Sequence, residues 1–254
     1  MYVETLGRGP DIVMIHGWAM HGGIFAPLTR RLTARFRVHL VDLPGHGASA
    51  ECELACDPQV CARVLIDQLP PALWLGWSLG GLVSLHAAML GPDRVRGIVQ
   101  VATSPCFVAT PSWPHGIAPD VLSEFATGLQ ENHRATIKRF LALETLGSAH
   151  PEADLRDLKA HVFERGEPAR GALQQGLQAL TDTDLRDDVA GLRMPSLWIS
   201  GRRDRLVPAA ALRWCARQTG RGHFVEFPSG HAPFISHAAE IGESIDAFAR
   251  ETCP

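Results

Sequence analysis

No apolar run among the 254 residues approaches the roughly 20 that a bilayer-spanning helix needs. Nor is there an excess of basic charge. The 24 Lys and Arg stand against 27 Asp and Glu, a net charge of −3, so no global field draws the chain to nucleic acid or to an anionic membrane. The opening Met1-Tyr2-Val3-Glu4-Thr5 lacks the basic and apolar regions of a secretion signal, so a cytoplasmic protein is expected. A zinc spacing is missing too. Cys52, Cys56 and Cys61 cluster without a nearby histidine, and all six cysteines (with Cys106, Cys215 and Cys253) are expected to be reduced thiols. What remains is an ordinary globular composition, 46% hydrophobic and 20% charged, and enough length for one large α/β domain or a domain with an insertion.

Within that frame one stretch stands out, Leu73-Trp74-Leu75-Gly76-Trp77-Ser78-Leu79-Gly80-Gly81. It reads as a short apolar strand, a turn, then a helix. Ser78 sits at the apex with glycine two places away on each side, the G-x-S-x-G nucleophile elbow. A strand running straight into a helix forces a strained turn, and side chains flanking the serine would collide across it. The serine hydroxyl is then held at the start of a helix whose dipole favours negative charge.

The rest of the chain supplies the context. Residues 1–5 suit an edge strand. Ile12-Val13-Met14-Ile15 is a buried-type strand ending in His16-Gly17-Trp18, which resembles the first oxyanion loop of α/β-hydrolases. Val38 to Val41 is a strand running into the turn-rich Asp42-Leu43-Pro44-Gly45-His46-Gly47-Ala48-Ser49, where Asp42 and His46 shape a loop rather than do chemistry. Residues 58–69 suit a helix, and Val95 to Val101 is a strand. Such alternation argues for a mostly parallel sheet flanked by helices. From 107 to about 185 the pattern changes to four amphipathic helices, over Val121 to Leu129, Ala135 to Leu146, Leu155 to Phe163 and Leu173 to Leu180. Strand logic resumes at Ser196 to Ser200 and at His223 to Phe227, with helices near 209–218 and from Ile241 to Phe248. The expected organisation is an α/β-hydrolase core of 1–106 and 186–254 carrying an inserted four-helix lid at 107–185.

Three candidate catalytic residues follow strands in the order Ser78, Asp204, His231, that of an α/β-hydrolase triad. Strand ends share one edge of an open parallel sheet, where sites assemble. Serine needs a base, histidine can take and return a proton near neutral pH, and an aspartate orients the imidazole. Asp182, Asp184, Asp187 and Asp188 compete with Asp204 for the acid role. The expected oxyanion donors are the backbone N–H groups of Trp18 and Leu79.

Several motifs are more discriminating: His16-Gly17-Trp18, Leu40-Val41-Asp42-Leu43-Pro44-Gly45, Trp74 to Val83, Ser104-Pro105-Cys106-Phe107, Arg139-Phe140-Leu141-Ala142-Leu143, and His231-Ala232-Pro233-Phe234-Ile235-Ser236-His237. With them the chain resembles, over nearly its whole length, the pimeloyl-(acyl-carrier protein) methyl ester esterases, the carboxylesterases of biotin synthesis. The resemblance implies hydrolysis of the methyl ester of pimeloyl-acyl carrier protein through an acyl-enzyme on Ser78, with no metal or organic cofactor. It implies that Trp18, Trp77 and Phe140 line an acyl pocket, and that a monomer meets its acidic carrier through Arg139 and Arg156. Other basic lid positions of that family are unmatched, with Ala135 and Glu152 nearest to them. The stretch 107–185 holds 7 Lys and Arg against 11 Asp and Glu, so docking would rest on a patch. Two other readings share these residues: a general short-chain carboxylesterase or C–C bond hydrolase, and a ligand receptor on a hydrolase scaffold. Dehalogenases and epoxide hydrolases are disfavoured, because they carry an aspartate at the elbow.

Overall fold

The computed structural model describes residues 1–148 and 151–252. Seven strands make up one sheet: β1 (Tyr2–Gly7), β2 (Asp11–Ile15), β3 (Arg37–Asp42), β4 (Ala72–Trp77), β5 (Val95–Val101), β6 (Ser196–Gly201) and β7 (Gly222–Phe227). Their order is β1-β3-β2-β4-β5-β6-β7. Only β1 runs antiparallel, on the edge against β3. β4 and β6 are buried along their full length, so both faces of the sheet are covered.

Among the described residues ten α-helices accompany the strands: α1 (Ala26–Leu32), α2 (Pro58–Gln68), α3 (Leu79–Leu90), α4 (Pro119–Glu144), α5 (Pro151–Val162), α6 (Arg170–Asp182), α7 (Arg186–Val189), α8 (Ala209–Gln218), α9 (Pro233–Ser236) and α10 (Ala238–Thr252). The chain moves outward from β2 to β3, then returns past β2 to β4. Right-handed crossovers in opposite directions put α1 and α2 on opposite faces. The packing agrees, since α1 lies against α10 and α2 against α3. The reversal opens a crevice between the C-terminal ends of β2 and β4, the place where parallel sheets bind ligands.

Local chemistry sets the helix starts. Asp57 caps α2 by accepting the Val60 N–H at 2.9 Å, with Pro58 in the first turn. α4 also begins with proline, and it breaks at Asn132, whose φ of −153° and ψ of 88° are not helical. The Asn132 side chain restarts the helix by accepting the Ala135 N–H at 3.0 Å. Helical stretches before and after this break, together with α5, α6 and α7, lie between β5 and β6. Among the described residues that interval contains isolated bridges only, such as Val108 with Ile117. No described helix is long and apolar enough to cross a membrane.

The elbow is held by close approach. A Cβ on Gly76 would lie 2.3 Å from the Gly80 carbonyl oxygen, the collision across the turn that the motif implies. Gly80 has a different reason: its Cβ would lie 2.2 Å from the Ile15 carbonyl oxygen on β2. Both obstacles are backbone and cannot rotate away. Gly76→Ala should therefore destabilise the fold by about 2–3 kcal/mol, as overpacking does. It should lower the urea midpoint of unfolding without changing the slope of the transition.

Candidate active site

Ser78 ends β4 and opens α3 with φ 53° and ψ −118°, a conformation that L-residues rarely adopt. Three bonds hold it there. Its N–H donates to the Val101 carbonyl at 3.1 Å, and its own carbonyl accepts from the Gly81 N–H at 2.9 Å and the Thr103 hydroxyl at 2.8 Å. Two further non-glycine residues in the described chain have positive φ, Ala19 at 63° and Ala102 at 44°. They follow β2 and β5, so the backbone strain gathers along one edge of the sheet.

Asp204 and His231 come to the same edge from the loops after β6 and β7. His231 Nδ1 donates to Asp204 Oδ2 at 2.8 Å, and both side chains are buried. The second carboxylate oxygen, Oδ1, accepts the N–H groups of Leu206 (2.8 Å) and Val207 (3.0 Å), which fixes the carboxylate plane. The Asp204 bond leaves Nε2 as the unprotonated nitrogen. It is buried and has no hydrogen-bond partner among the described residues. Two of the competing aspartates are engaged elsewhere: Asp184 pairs with Arg186 at 2.6 Å, and Asp182 accepts from Gln178.

His231 is clamped through its main chain. Its N–H donates to the Glu144 carbonyl at 3.1 Å, and its carbonyl accepts the Trp77 indole N–H at 2.9 Å. Trp77 is fully buried, edge-on to Phe234 at 5.1 Å between ring centroids and 5.8 Å from the imidazole. The sequence presents Trp77 as a pocket wall; its position also makes it a brace for the histidine.

The loop after β2 is braced in turn by His16. Nδ1–H donates to the Gly17 carbonyl at 2.8 Å, and Nε2 accepts the Leu43 N–H at 2.9 Å. Burial, then the neighbouring His46, push its pKa down to about 3, so it serves as a neutral strut. Asp42 shapes the adjoining loop, accepting from Gly22 N–H at 2.7 Å and Ala48 N–H at 2.8 Å. In this frame the N–H groups of Trp18 and Leu79 have no hydrogen-bond partner among the described residues.

The helices between β5 and β6 press on this loop. The Trp18 indole N–H donates to the Leu173 carbonyl on α6 at 2.9 Å. Phe140 of α4 meets the Trp18 ring edge-on at 4.7 Å and Phe125 at 5.2 Å. α6 comes this near because Gly176 has no side chain: a Cβ would lie 2.8 Å from Trp18 Cδ1 and 3.1 Å from Leu79 Cδ2. Arg139 and Arg156 lie elsewhere, on exposed faces of α4 and α5. Arg139 donates to Glu124 at 2.9 Å over the Phe125 ring, whereas the nearest anion to Arg156 is Asp157 at 4.0 Å. The five described cysteines form no disulfide, and Cys253 lies outside the described residues.

Sequence reasoning does not single out Gly176, His16 as a strut, or Glu144. For Glu144 a signal exists. Ile137, Phe140, Leu141 and Glu144 repeat at i, i+3, i+4, i+7, which puts a carboxyl on the apolar stripe of a helix.

An unprotonated imidazole nitrogen, an oriented imidazole, a serine on a strained elbow and two free N–H groups form the equipment for acyl transfer. Comparison with known proteins bears on which acyl transfer. The sequence model described as "Alpha/beta hydrolase family" matches residues 12–243. The chain is 48% identical over 249 residues, 98% of each chain, to a pimeloyl-(acyl-carrier protein) methyl ester esterase of Xanthomonas axonopodis pv. citri (strain 306). It is 45% identical over 255 residues, all of this chain and 98% of the other, to a protein of the same name from Stenotrophomonas maltophilia (strain R551-3). Among solved structures it superposes on an esterase from Exiguobacterium antarcticum with TM-score 0.88 at 22% identity, covering 98% of this chain and 95% of that one.

A fluorophosphonate probe should label the wild-type protein at Ser78. Ser78→Ala should abolish labelling in intact-mass measurements. Labelling that persists in Ser78→Ala, or that maps to another residue, would contradict the nucleophile assignment.

Proposed function

The chain belongs to the alpha/beta hydrolase family and, within it, to the pimeloyl-(acyl-carrier protein) methyl ester esterases; on that footing we propose that it hydrolyses the methyl ester of pimeloyl-acyl carrier protein to methanol and the free ω-carboxylate, a step in biotin synthesis. The observation that carries the mechanism is the His231 ring, bonded to Asp204 at 2.8 Å through Nδ1 with Nε2 left open. Nε2 takes the Ser78 proton as Oγ attacks the ester carbonyl. The N–H groups of Trp18 and Leu79 receive the oxyanion, and losing such a donor typically costs about 3 kcal/mol in the barrier. The imidazolium returns the proton to the departing methoxide. Water, deprotonated by the same nitrogen, then releases the acyl group from Ser78.

The substrate reading assigns the pocket to Trp18, Trp77 and Phe140. An aliphatic chain suits aromatic walls, and the Trp18–Phe140 contact joins the core to the helices above it. Residues 107–185 act as a lid over the acyl chain. Arg139 and Arg156 meet the acidic carrier. Arg156 has a long contact with Asp157 at 4.0 Å to give up, while Arg139 must exchange Glu124 for an acid of the carrier. Exposed pairs of this kind are worth about 0–1 kcal/mol, so the exchange is easy. The working state is a monomer in the cytoplasm, needing no metal or organic cofactor.

A general carboxylesterase would share everything except the carrier. Turnover of carrier-linked ester should therefore fall as salt rises, with free dimethyl pimelate as the insensitive control. Arg139→Glu with Arg156→Glu should raise KM for the carrier ester about tenfold, since like charges across an interface are costly. Salt-independent carrier turnover would overturn electrostatic docking. For the physiological role, wild type but not Ser78→Ala should restore growth of a biotin-requiring strain that lacks its own pimeloyl-ester esterase.

A further inference from the structure

Glu144 is the last residue of α4, and it ends inside the protein. Its carbonyl receives the His231 N–H at 3.1 Å. The turn that follows is packed hard on the loops carrying the histidine and the aspartate. A Cβ on Gly230 would lie 3.0 Å from the carbonyl oxygens of both Glu144 and Leu146, and one on Gly147 would lie 2.4 Å from the Arg203 carbonyl oxygen. The end of α4 and the His231 loop therefore cannot shift independently.

The Glu144 side chain is in an unusual position. It is 1% exposed, and neither carboxyl oxygen has a hydrogen-bond partner among the described residues. Burial, then the charge of Asp204, push its pKa well above the usual carboxylate range. Among the described residues no cation pairs with it. The β6 loop brings Asp204, and Arg203 beside it donates outward to the Gly147 carbonyl at 3.4 Å. The β7 loop brings His231, already paired with Asp204. On α5, Asp154 accepts from the Ser148 hydroxyl. On α6, Arg170 donates to the Gln130 carbonyl and Asp182 accepts from Gln178.

We propose that Glu144 is a positioning residue for His231, and that its carboxyl must remain an uncharged acid for the end of α4 to keep its grip on the histidine main chain. The proposal rests on His231 being the base of the reaction. An ionised carboxyl with no partner cannot stay buried cheaply, so loss of the proton drives the helix end towards water. The His231 N–H then loses its acceptor, and the imidazole loses its aim at Ser78. The sign of the pH dependence follows. The folded chain keeps a proton that the unfolded chain releases above the ordinary carboxylate range. Stability contributed here is thus lost as pH rises from that range through the raised folded pKa.

The test compares wild type, Glu144→Gln and Glu144→Ala as full chains, following methanol release from dimethyl pimelate between about pH 5 and 10. Glu144→Gln keeps the shape and cannot ionise. Wild-type kcat/KM should fall on the alkaline side; the Gln variant should keep the acid limb, where His231 takes a proton, and lose that alkaline fall. Its melting temperature should rise relative to wild type as pH increases above the carboxylate range. Glu144→Ala keeps the main-chain carbonyl but leaves a cavity that lets the helix end shift, so it should lower kcat about 10–100-fold with little change in KM, and Gln at the same position should recover most of that loss. Coincident alkaline limbs for wild type and Glu144→Gln would overturn the proposal, as would an undiminished kcat in a folded Glu144→Ala. Failure of the fluorophosphonate to label wild-type Ser78 would overturn the triad reading itself; labelling with coincident limbs would overturn the Glu144 assignment alone.

Discussion

The backbone of Ser78 is the constraint on which the rest of this site depends. A residue with φ 53° and ψ −118° reverts to a relaxed conformation unless its surroundings forbid it. Here they do. Gly76 lets the turn close on Gly80, Gly80 lets α3 rest on the Ile15 carbonyl, and Val101 and Thr103 tie down both ends of the Ser78 peptide. The strain that lifts the serine from the sheet is maintained by the strands on either side of β4. Ser78 and the sheet are thereby one mechanical unit, and the open N–H of Leu79 follows from the same turn.

The histidine is held differently, by elements from outside its own loop. Asp204 fixes the ring, Trp77 holds the carbonyl of His231 and Glu144 holds its N–H. Trp77 belongs to the elbow strand and Glu144 to the helices above the sheet. The imidazole is thus aligned by both layers at once. The loop after β2 repeats the arrangement: His16 braces it from below, while Leu173, Phe140 and the bare backbone at Gly176 press on Trp18 from above. Helices between β5 and β6 that merely covered a pocket would need none of these bonds. Their contacts tie them to His231 and to the loop after β2.

Charge is deployed sparingly in this interior. Burial holds the His16 pKa down at about 3 and, with the charge of Asp204, pushes that of Glu144 well above the usual carboxylate range. On the surface, the basic side chains of α4 and α5 sit among acids, with Arg139 on Glu124 and both Arg134 and His133 on Glu167. An acidic partner would have to compete with these pairs, an arrangement that favours rapid, reversible contact over tight binding.

Much of this was legible in the sequence. Apolar runs ending in turn residues located the strands, because a strand buried on both faces can tolerate little else. The G-x-S-x-G spacing marked the elbow, because only small residues survive that turn. The order Ser78, Asp204, His231 after successive strands pointed to one sheet edge, because parallel strands end together. The sequence by itself thus determined the fold class and the residues with chemistry to offer. Tertiary structure alone decided what holds them. Trp77 as a brace, Gly176 as the gap that admits α6, and the sequence-distant meeting of Glu144 with His231 and Asp204 depend on how helices inserted after β5 land on loops after β4, β6 and β7. Local spacing carries no information about such landings, since they are set by packing between segments far apart in the chain. An apolar stripe bearing one glutamate could announce that a carboxyl would be buried, but not that it would be buried beside the catalytic pair.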